Sequence, residues 1–402
     1  MSDKVILTLN AGSSSLKFAL FTAEAMPRRL WSGTFKRIGL PGAKFVLCDA
    51  DDRVVMNETL SLASHAQALG RLLEAVNKMP GSLDLVAVGH RFVNGGPDCD
   101  CPKVLTAPMR AKLRALAALA PLHMGPNLAG VDAVLAVRPD VMQIASFDTA
   151  FYHELPRVAQ LTSLPRELAD EGIRRYGFHG LSFEYVLGSL RAEGVDVDAE
   201  RIVLAHLGNG ASMVAIRNGR PIEMSSGFST LAGLPMGTRS GDLDPGVVLF
   251  LMQEKGMTAD EVATLLYHQS GLLGLSGESR NMGDLLASSS EHAAEAVDFF
   301  CYQAKLHLAR LTGALGGLDR VVFTAGIGEK SADVRARICE GLGYLGLRLD
   351  AARNLADDPV ISHEDARVVV QVRATDEARM IVAHVAAKLA ADAARQTAEA
   401  LV

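Results

Sequence analysis

Two glycine-containing turns, each preceded and followed by apolar residues, constrain the fold of this chain most strongly. The first, Asn10–Lys17, follows the apolar run Val5–Leu7, and the second, His206–Ser212, follows Ile202–Leu204. Each pattern predicts a strand, a tight turn and a second strand. Backbone N–H groups in such a turn bind anions, because glycine lets the backbone approach them closely. The repetition therefore predicts a duplicated fold with a polyphosphate held between its halves.

Length and charge narrow the class of protein. A chain of 402 residues exceeds the size at which a single core usually stops growing, which favours two domains. The formal net charge is -6, and no run is rich in Lys or Arg. Nucleic acids and anionic membranes bind clustered basic faces, so we expect neither as a partner.

The cysteines and the N-terminus lead us to expect a cytoplasmic protein. The five cysteines lack zinc-ligand or CxxC spacing, which favours reduced thiols. Met1–Lys4 precede only a short apolar run that Asn10 interrupts, and this does not resemble a signal peptide. The sequence also lacks the stretch of about 18 apolar residues that predicts a transmembrane helix.

Patterns typical of strands and helices alternate along the chain and predict an α/β protein. In the first half they predict strands at Trp31–Ile38, Lys44–Cys48, Leu85–Val88 and Val141–Ser146, and helices at His65–Met79, Ala107–Leu119 and Pro126–Val137. In the second half they predict helices at Ser182–Ala192, Glu291–Leu315 and Asp376–Leu401, a strand at Arg320–Thr324 and a glycine turn at Ala325–Glu329.

Charged residues near the ends of predicted strands are candidates for phosphoryl transfer. This chemistry needs cations around the moving group and oxygen ligands for Mg²⁺. Arg91 follows the strand Leu85–Val88, and Arg239 lies in a glycine-containing loop, where arginines often clamp ligands. Asp148, which follows another strand, is either a metal ligand or base, or a residue of an Asx-turn or helix N-cap.

His179 and Glu377 each have two interpretations. A lone histidine is more often structural, but Arg174 and Arg175 just upstream favour a role for His179 in steadying a phosphoryl oxygen. Glu377 is either a carboxylate that supports a metal ion or simply an acidic residue in the first turn of the last helix.

Seven motifs, taken in order, resemble those of the acetate kinase family. They are NAGSSSLK at Asn10–Lys17, GHRFVNGG at Gly89–Gly96, SFDTAFY at Ser146–Tyr152, RYGFHGL at Arg175–Leu181, HLGNGAS at His206–Ser212, GTRSGDLDP at Gly237–Pro245 and FTAGIGE at Phe323–Glu329. The resemblance runs from residue 5 to about residue 385 in the family's order. Several long motifs in register are far more specific than one glycine turn.

The resemblance implies a duplicated α/β fold of the actin/hexokinase-like (ribonuclease H-like) type, with a central cleft. The N-terminal domain would comprise residues 1–150 and 381–402, and the nucleotide-binding domain residues 151–380. The implied reaction is reversible, direct in-line transfer of a phosphoryl group from ATP to acetate, giving acetyl phosphate and ADP. Mg²⁺ or Mn²⁺ would be the cofactor, and the assembly would be a homodimer.

The resemblance also implies roles for individual residues. Arg91 and Arg239 would hold the carboxylate and the phosphoryl group, and His179 would donate to the latter. The other implied sites are a metal site of Asn10, Asp148 and Glu377; phosphate turns of Ser13, Ser15 and Lys17 and of His206, Gly208, Asn209 and Gly210; an adenosine site of Asn281, Gly326, Ile327 and Gly328; and an acyl pocket of Val93, Leu122, Phe178 and Thr230.

General chemistry agrees with these roles. A carboxylate is already ionised at pH 7, because its unperturbed pKa is about 4 to 5, so no strong general base is required. Positioning and charge neutralisation should account for most of the rate. We therefore assign Asp148 to the metal rather than to a base role.

Two departures from the family's pattern leave the substrates open. Thr230 stands where a proline commonly lines the acyl pocket, so the preferred acid is acetate, propionate or another short-chain acid. Asn281–Gly283 stands where the family has an Asp-Phe-Arg run, so the donor is ATP, another nucleotide or pyrophosphate.

Two functions of other classes fit the same fold. One is a sugar kinase, in which an aspartate deprotonates a hydroxyl group. The other is a nucleotide-driven switch of the actin or chaperone type. The paired Arg91 and Arg239 argue against a switch, because a hydrolytic switch has no carboxylate to clamp.

Overall fold

The computed structural model describes residues 3–12, 14–78, 83–117 and 121–400. The chain divides into two compact units, Met1–Phe151 with Asp376–Val402 and Tyr152–Thr375. From the sequence we expect domain boundaries at 150/151 and 380/381, and these boundaries stay a prediction. Within the described ranges, no helix combines the length and the apolar character that crossing a membrane requires.

The first unit is built on an eight-stranded sheet in the order β5-β4-β3-β2-β1-β6-β8-β7. Its strands are β1 (Asp3–Gly12), β2 (Ser15–Thr22), β3 (Arg29–Lys36), β4 (Ala43–Cys48), β5 (Val54–Leu60), β6 (Leu83–Phe92), β7 (Lys103–Val104) and β8 (Met142–Phe147). Its helices are α1 (His65–Asn77), α2 (Ala107–Ala115), α3 (Pro121–Val137) and the last helix of the chain, α15 (Glu377–Ala400).

The second unit is built on a five-stranded sheet in the order β11-β10-β9-β12-β13. Its strands are β9 (Ile202–Leu207), β10 (Ala211–Arg217), β11 (Arg220–Met224), β12 (Arg320–Thr324) and β13 (Val369–Val372). Its helices are α4 (Arg157–Gln160), α5 (Arg166–Asp170), α6 (Gly180–Ala192), α7 (Pro245–Gln253), α8 (Ala259–His268), α9 (Gly271–Ser276), α10 (Met282–Ala287), α11 (Glu291–Leu315), α12 (Ala325–Lys330), α13 (Ala332–Cys339) and α14 (Ala351–Leu355).

The two sheets share one topology. In the order β3-β2-β1-β6-β8, the first three strands are antiparallel, and β6 and β8 continue parallel to β1. The order β11-β10-β9-β12-β13 repeats this pattern, with β12 and β13 parallel to β9. The duplicated α/β fold that the two glycine turns predict is therefore confirmed.

Apolar residues on both faces hold the second sheet in the interior. All residues of β9 and β12 are buried, as expected for strands covered on both sides. Helix α11 packs on this sheet through a stripe of buried residues at helical spacing that includes Phe300, Ala304 and Leu308. This packing supports the end of β9, where His206 lies.

Three elements differ from the sequence predictions. Strand β6 continues to Phe92, so Arg91 lies within the strand rather than after it. Helix α3 begins at Pro121, and Pro126, which lacks an N–H for the helical ladder, lies inside it. The predicted glycine turn at Ala325–Glu329 is wrong, because these residues form most of the short helix α12.

Glu329 and a buried arginine explain why α12 forms. The Glu329 carboxylate accepts a hydrogen bond from the Ala325 N–H at 2.9 Å, where Ala325 has a left-handed φ of 64°. At the other end, the fully buried Arg335 donates Nη1 to the carbonyls of Gly328 and Glu329 at 2.9 and 3.0 Å. Both ends of the helix thus have side-chain partners, Glu329 from within the helix and Arg335 from α13.

We predict that His90 makes the protein less stable in mild acid. Its imidazole is 2% exposed and lies 2.7 Å from Gln143 Oε1. Burial lowers the pKa of His90 from 6.5 to about 4, although the hydrogen bond to Gln143 opposes this shift. Between these values the unfolded chain binds a proton that the folded chain does not, so the free energy of unfolding falls as the pH falls.

Thermal and urea unfolding between about pH 7 and pH 5 would measure this effect, which we expect to be about 2 kcal/mol. The variant His90→Gln does not titrate and should lose less stability over the same interval. The exposed His292→Gln is the control and should behave like the wild type. An unchanged pH dependence in His90→Gln would contradict the assignment.

Candidate functional site

Arg91 is the centre of a charged cluster in the first unit. Its Nε and Nη2 donate to the Asp148 carboxylate, with a shortest distance of 2.7 Å, and its Nη1 donates to Glu377 Oε2 at 2.8 Å. Asn10 Nδ2 donates to the same oxygen of Glu377 at 3.3 Å. We call Asn10, Arg91, Asp148 and Glu377 the Arg91 cluster.

The guanidinium of Arg91 is held as a permanent cation. Asp148 is 1% exposed and the Arg91 side chain 15%, so both groups are largely removed from water. Burial by itself lowers the pKa of Arg91, but the carboxylates of Asp148 and Glu377 more than offset burial and raise the pKa above its usual value. The bidentate hydrogen bonding to Asp148 also fixes the plane of the guanidinium.

The sheet and the last helix place these residues. Arg91 on β6 is in register with Ser146 on β8, and Asp148 begins the turn that follows β8. Glu377 is the first residue of α15, and His384, on the same helix, lies with Nδ1 3.0 Å from Ser146 Oγ. Sequence reasoning missed the contact between His384 and Ser146, because nothing in the spacing of the motifs indicates it.

The donor set of the Arg91 cluster is compatible with Mg²⁺. Carboxylate and amide oxygens are the ligands that Mg²⁺ prefers, and it usually keeps several waters and binds substrate phosphates. Among the described residues, no group of three or more His, Cys, Asp or Glu side chains is placed to hold a metal ion. Asn10, Asp148 and Glu377 are the candidate oxygen ligands of this cluster.

The first glycine turn lies next to this cluster. Gly12 and Ser15 pair across the hairpin of β1 and β2, and Asn10 is opposite the exposed Lys17. A Cβ atom on Gly12 would lie 2.7 Å from Ser15 Oγ, so a side chain at this position would displace the Ser15 hydroxyl. The predicted phosphate ligand Ser13 lies outside the described residues.

Two of the four predicted acyl-pocket residues belong to the first unit. Val93 is buried, and its N–H donates to Asn127 Oδ1 at 3.3 Å. Leu122 is in α3, and its side chain lies outside the described part of the chain.

Two stacked histidines and an arginine form the corresponding site in the second unit. The rings of His179 and His206 are parallel, with centroids 4.2 Å apart. Each Nδ1 lies 2.8 Å from a serine Oγ, that of Ser212 for His179 and that of Ser182 for His206. These contacts fix both imidazole planes, and neither serine was identified as a site residue from the sequence.

Arg239 lies beside His179 across a glycine. A Cβ atom on Gly210 would be 2.9 Å from Arg239 Nη2 and 3.0 Å from His179 Nε2. Arg239 Nη1 donates to the carbonyl of Thr230 at 2.8 Å. We call His179, His206, Gly210, Thr230 and Arg239 the Arg239 cluster.

The segment that carries Arg239 folds back onto the segment that carries Thr230. The Gly233 N–H donates to Asp242 Oδ1 at 2.7 Å, and the Asp242 N–H donates to the Gly233 carbonyl at 2.8 Å. Phe178, the fourth predicted acyl-pocket residue, is buried, and its carbonyl accepts from the Tyr152 hydroxyl at 2.8 Å.

The second glycine turn adjoins the start of α12. The Gly208 N–H donates to the Gly210 carbonyl at 3.0 Å, and the Asn209 carbonyl accepts from the Gly237 N–H at 3.1 Å. A Cβ atom on Gly208 would lie 3.6 Å from that of Ala325, the first residue of α12. The structure thus brings together the second turn and the helix that carries the predicted adenosine-site residues.

The four predicted adenosine-site residues differ in their surroundings. Gly326 is exposed, whereas Gly328 is buried against β12 and Ile327 packs on the hydrophobic core of the unit. Asn281 is exposed at the start of α10, where its Nδ2 donates to Asp284 Oδ2 at 3.0 Å. The backbone of Gly326 is thus open to a ligand, whereas the side chain of Ile327 serves the core.

Comparison with known proteins identifies the family. A model of the Acetokinase family matches residues 5–383. The chain belongs to this family. An acetate kinase from Rhodopseudomonas palustris is 46% identical over 394 residues, with 96% of this chain and 98% of the relative covered.

Solved structures agree with this assignment and with the predicted actin/hexokinase-like fold. The acetate kinase of Porphyromonas gingivalis superposes with a TM-score of 0.84 at 35% identity, covering 94% of this chain and 98% of that one. A propionate kinase from Francisella tularensis superposes with a TM-score of 0.88 at 32% identity, covering 96% and 99%. As a member of the Acetokinase family, the chain is an enzyme, a kinase that phosphorylates acetate with ATP.

We predict that Gly210→Ala impairs this kinase without unfolding it. The added methyl group would meet the flexible end of Arg239 and the ring of His179, so these side chains must shift. Displacement of a positioning group by about 1 Å lowers rates by about a hundredfold, which is the loss in kcat/KM we expect. The control Gly188→Ala in α6 meets no atom within 4 Å and should be neutral. Wild-type kcat/KM in Gly210→Ala would contradict the proximity of these groups.

Proposed function

We propose that the Arg91 cluster and the Arg239 cluster serve one reaction, the direct in-line transfer of a phosphoryl group from ATP to acetate with Mg²⁺ as cofactor. The observation that supports this most is that each of the two units holds an arginine through specific partners. Arg91 is bound by two carboxylates, and Arg239 is bound by the carbonyl of Thr230. Fixed cations suit a reaction whose transition state spreads negative charge over phosphoryl oxygens.

The two arginines neutralise the negative charges of acetate and of the terminal phosphoryl group. Acetate and the terminal phosphoryl group are both anionic, so they repel each other as they approach. We assign both anions to Arg91 and Arg239, each of which is held by its own partners within its unit. The acetate oxygen then forms its bond to phosphorus as the bond to the leaving oxygen of ADP breaks.

His179 supplies a further donor to the transferring group. Ser212 Oγ is 2.8 Å from His179 Nδ1 and donates to the Phe178 carbonyl at 3.4 Å. With its proton directed to that carbonyl, Ser212 accepts from Nδ1–H. The Nε2 atom therefore carries a hydrogen only in the imidazolium, and the cationic ring is the form that donates to a phosphoryl oxygen.

Asn10, Asp148 and Glu377 are the residues that would hold Mg²⁺. The ion supplies positive charge to the polyphosphate and fixes its orientation. The phosphate chain itself is assigned to the backbone and side chains of the two turns, which are Ser13, Ser15 and Lys17 in the first and His206, Gly208, Asn209 and Gly210 in the second. Gly326, Ile327, Gly328 and Asn281 are assigned to the adenosine end.

Propionate is the second candidate acid. A solved structure that superposes on this chain with a TM-score of 0.88 is called a propionate kinase. Val93, Leu122, Phe178 and Thr230 are the proposed acyl pocket, and an apolar pocket discriminates only modestly between acids that differ by one methylene group. We therefore expect propionate to react less efficiently than acetate and butyrate to react poorly.

We propose a homodimer that forms through α7 and α11. None of the residues of α7 is buried, although its sequence is largely apolar, and Leu249 and Phe250 are 55% and 50% exposed. On α11, Phe299, Tyr302 and Leu306 are at least 40% exposed and recur at helical spacing. Exposed apolar patches of this kind typically mark protein interfaces.

The compartment we propose is the cytoplasm. All five cysteines carry free thiols. Free thiols in a chain of this kind are typical of a reducing compartment.

The function is tested by trapping acyl phosphate with hydroxylamine in the presence of Mg²⁺. We expect acetate with ATP to give the strongest signal among acetate, propionate and butyrate and among ATP, GTP and pyrophosphate. We expect Arg91→Lys and Arg239→Lys to lower kcat/KM by at least about a hundredfold, because lysine keeps the charge but lacks the planar fork. Lysine also avoids leaving the buried Asp148 without a cation.

Exposed arginines provide matched controls for this experiment. Arg53→Lys in the first unit and Arg220→Lys in the second, with side chains 77% and 67% exposed, should retain wild-type kcat/KM. Wild-type kcat/KM in either Arg91→Lys or Arg239→Lys would contradict its proposed role. The absence of acyl phosphate with every acid and donor would contradict the proposed function.

For the homodimer, we predict that Phe250→Asp dissociates the dimer, because a buried, unpaired carboxylate is strongly unfavourable. Sedimentation velocity should give a dimer for the wild type and a monomer for this variant. Val158→Asp changes another apolar residue, 81% exposed and outside α7 and α11, and should leave the dimer intact. A monomeric wild type or a dimeric Phe250→Asp would exclude the proposed interface.

A further inference from the structure

Thr230 carries a buried hydroxyl group that no protein atom satisfies. The residue is 5% exposed, and its Oγ1 has no hydrogen-bond partner among the described residues. A buried polar atom without a partner destabilises the folded state, and most such atoms in folded proteins are paired. The hydroxyl group of Thr230 therefore needs an explanation other than stability.

The loop that contains Thr230 does not depend on this hydroxyl. The Tyr176 N–H donates to the Gly227 carbonyl at 2.8 Å, and Arg175 Nε donates to the Ser226 carbonyl at 3.1 Å. The neighbouring Ser229 has a local role, because its Oγ accepts from the Leu231 N–H at 3.2 Å. Thr230 contributes its main-chain carbonyl, which any residue would provide.

Thr230 nevertheless contacts Arg239, one of the two arginines to which we assign the reaction. Its carbonyl accepts from Arg239 Nη1 at 2.8 Å, so the unsatisfied hydroxyl belongs to the residue that positions this arginine. Because we assign the acid's carboxylate to Arg239, we expect the carbon chain of the acid beside the residue that binds this arginine. Rotation about the Cα–Cβ bond moves the hydroxyl between staggered positions without moving the carbonyl.

We propose that Thr230 determines the choice of acid by hydrogen bonding to a hydroxyl group on the substrate. This inference rests on the proposed function and adds to its substrate class short carboxylic acids that carry a hydroxyl on the first or second carbon beyond the carboxylate. The acid's carboxylate oxygen forms the new bond to phosphorus, and ADP leaves with the electrons of the broken bond. The acid's own hydroxyl is bound, not phosphorylated.

The chemistry of recognition explains why one hydroxyl matters. An apolar pocket hardly distinguishes acids by size, whereas a site with an unpaired polar group favours the substrate that pairs with it. Glycolate differs from acetate, and 3-hydroxypropionate from propionate, by one hydroxyl group. The ratio of kcat/KM within each pair isolates the contribution of that group.

The test uses the wild type, Thr230→Val and Thr230→Ser in the full-length enzyme with ATP and Mg²⁺. Valine keeps the shape but lacks the hydroxyl, and serine keeps the hydroxyl. For at least one of the two pairs, we expect Thr230→Val to lower the ratio of hydroxylated to plain acid about five- to tenfold. Thr230→Ser should retain the ratio. The readout is the ratio of kcat/KM within each pair, which separates recognition of the hydroxyl from any change in rate shared by both acids.

The possible results distinguish failure of the inference from failure of the proposed function. Acyl phosphate from acetate with the same ratios in Thr230→Val as in the wild type would overturn the inference and leave the proposed function intact. A parallel loss with all four acids would show that Thr230 only positions Arg239, and would also overturn the inference. No acyl phosphate from any acid with the wild type would overturn both.

Discussion

The ion pairs of Arg91 are the constraint on which the arrangement of the first unit depends. They join β6 to the end of β8, 57 residues away, and to the start of α15, 286 residues away. Removing one partner of a buried ion pair costs about 3–5 kcal/mol, because a charge is left without compensation. The C-terminal helix must therefore dock with Glu377 at this edge of the sheet, and the Asn10 amide reinforces that position.

The second unit holds its arginine in a different way. Arg239 is bound by a main-chain carbonyl, and the stacked His179 and His206 are oriented by Ser212 and Ser182. A carbonyl is present whatever the side chain, so the residue at position 230 is free to vary without loss of the arginine's position. The duplicated fold thus provides one arginine bound by carboxylates and one bound by a main-chain carbonyl.

The sequence predicts what short-range patterns determine. The two glycine hairpins, the helix Glu291–Leu315 and the strand Arg320–Thr324 follow from periodicity and turn residues, and the structure has each of them. The helix α12 was predicted as a turn because its glycines are poor helix formers and its stabilising partners, Glu329 and Arg335, act through side chains.

The sequence predicts candidate site residues but not the contacts between them, and their roles stay a prediction. Arg91, Asp148 and Glu377 were chosen from motifs, yet their mutual ion pairs depend on sheet register and helix docking, which spacing does not reveal. The contacts of His179 with Ser212 and of His206 with Ser182 also join residues far apart in the sequence. Whether the Thr230 hydroxyl has a partner among the described residues likewise depends on the surrounding fold.

The most direct test of the account is the stereochemical course at phosphorus with ATP that is chiral at its terminal phosphoryl group. The account assigns positioning and charge to the arginines and hydrogen bonding to His179, with no covalent intermediate, so it predicts a single inversion. Net retention would contradict it, because two successive transfers would require a phosphorylated side chain such as that of His179.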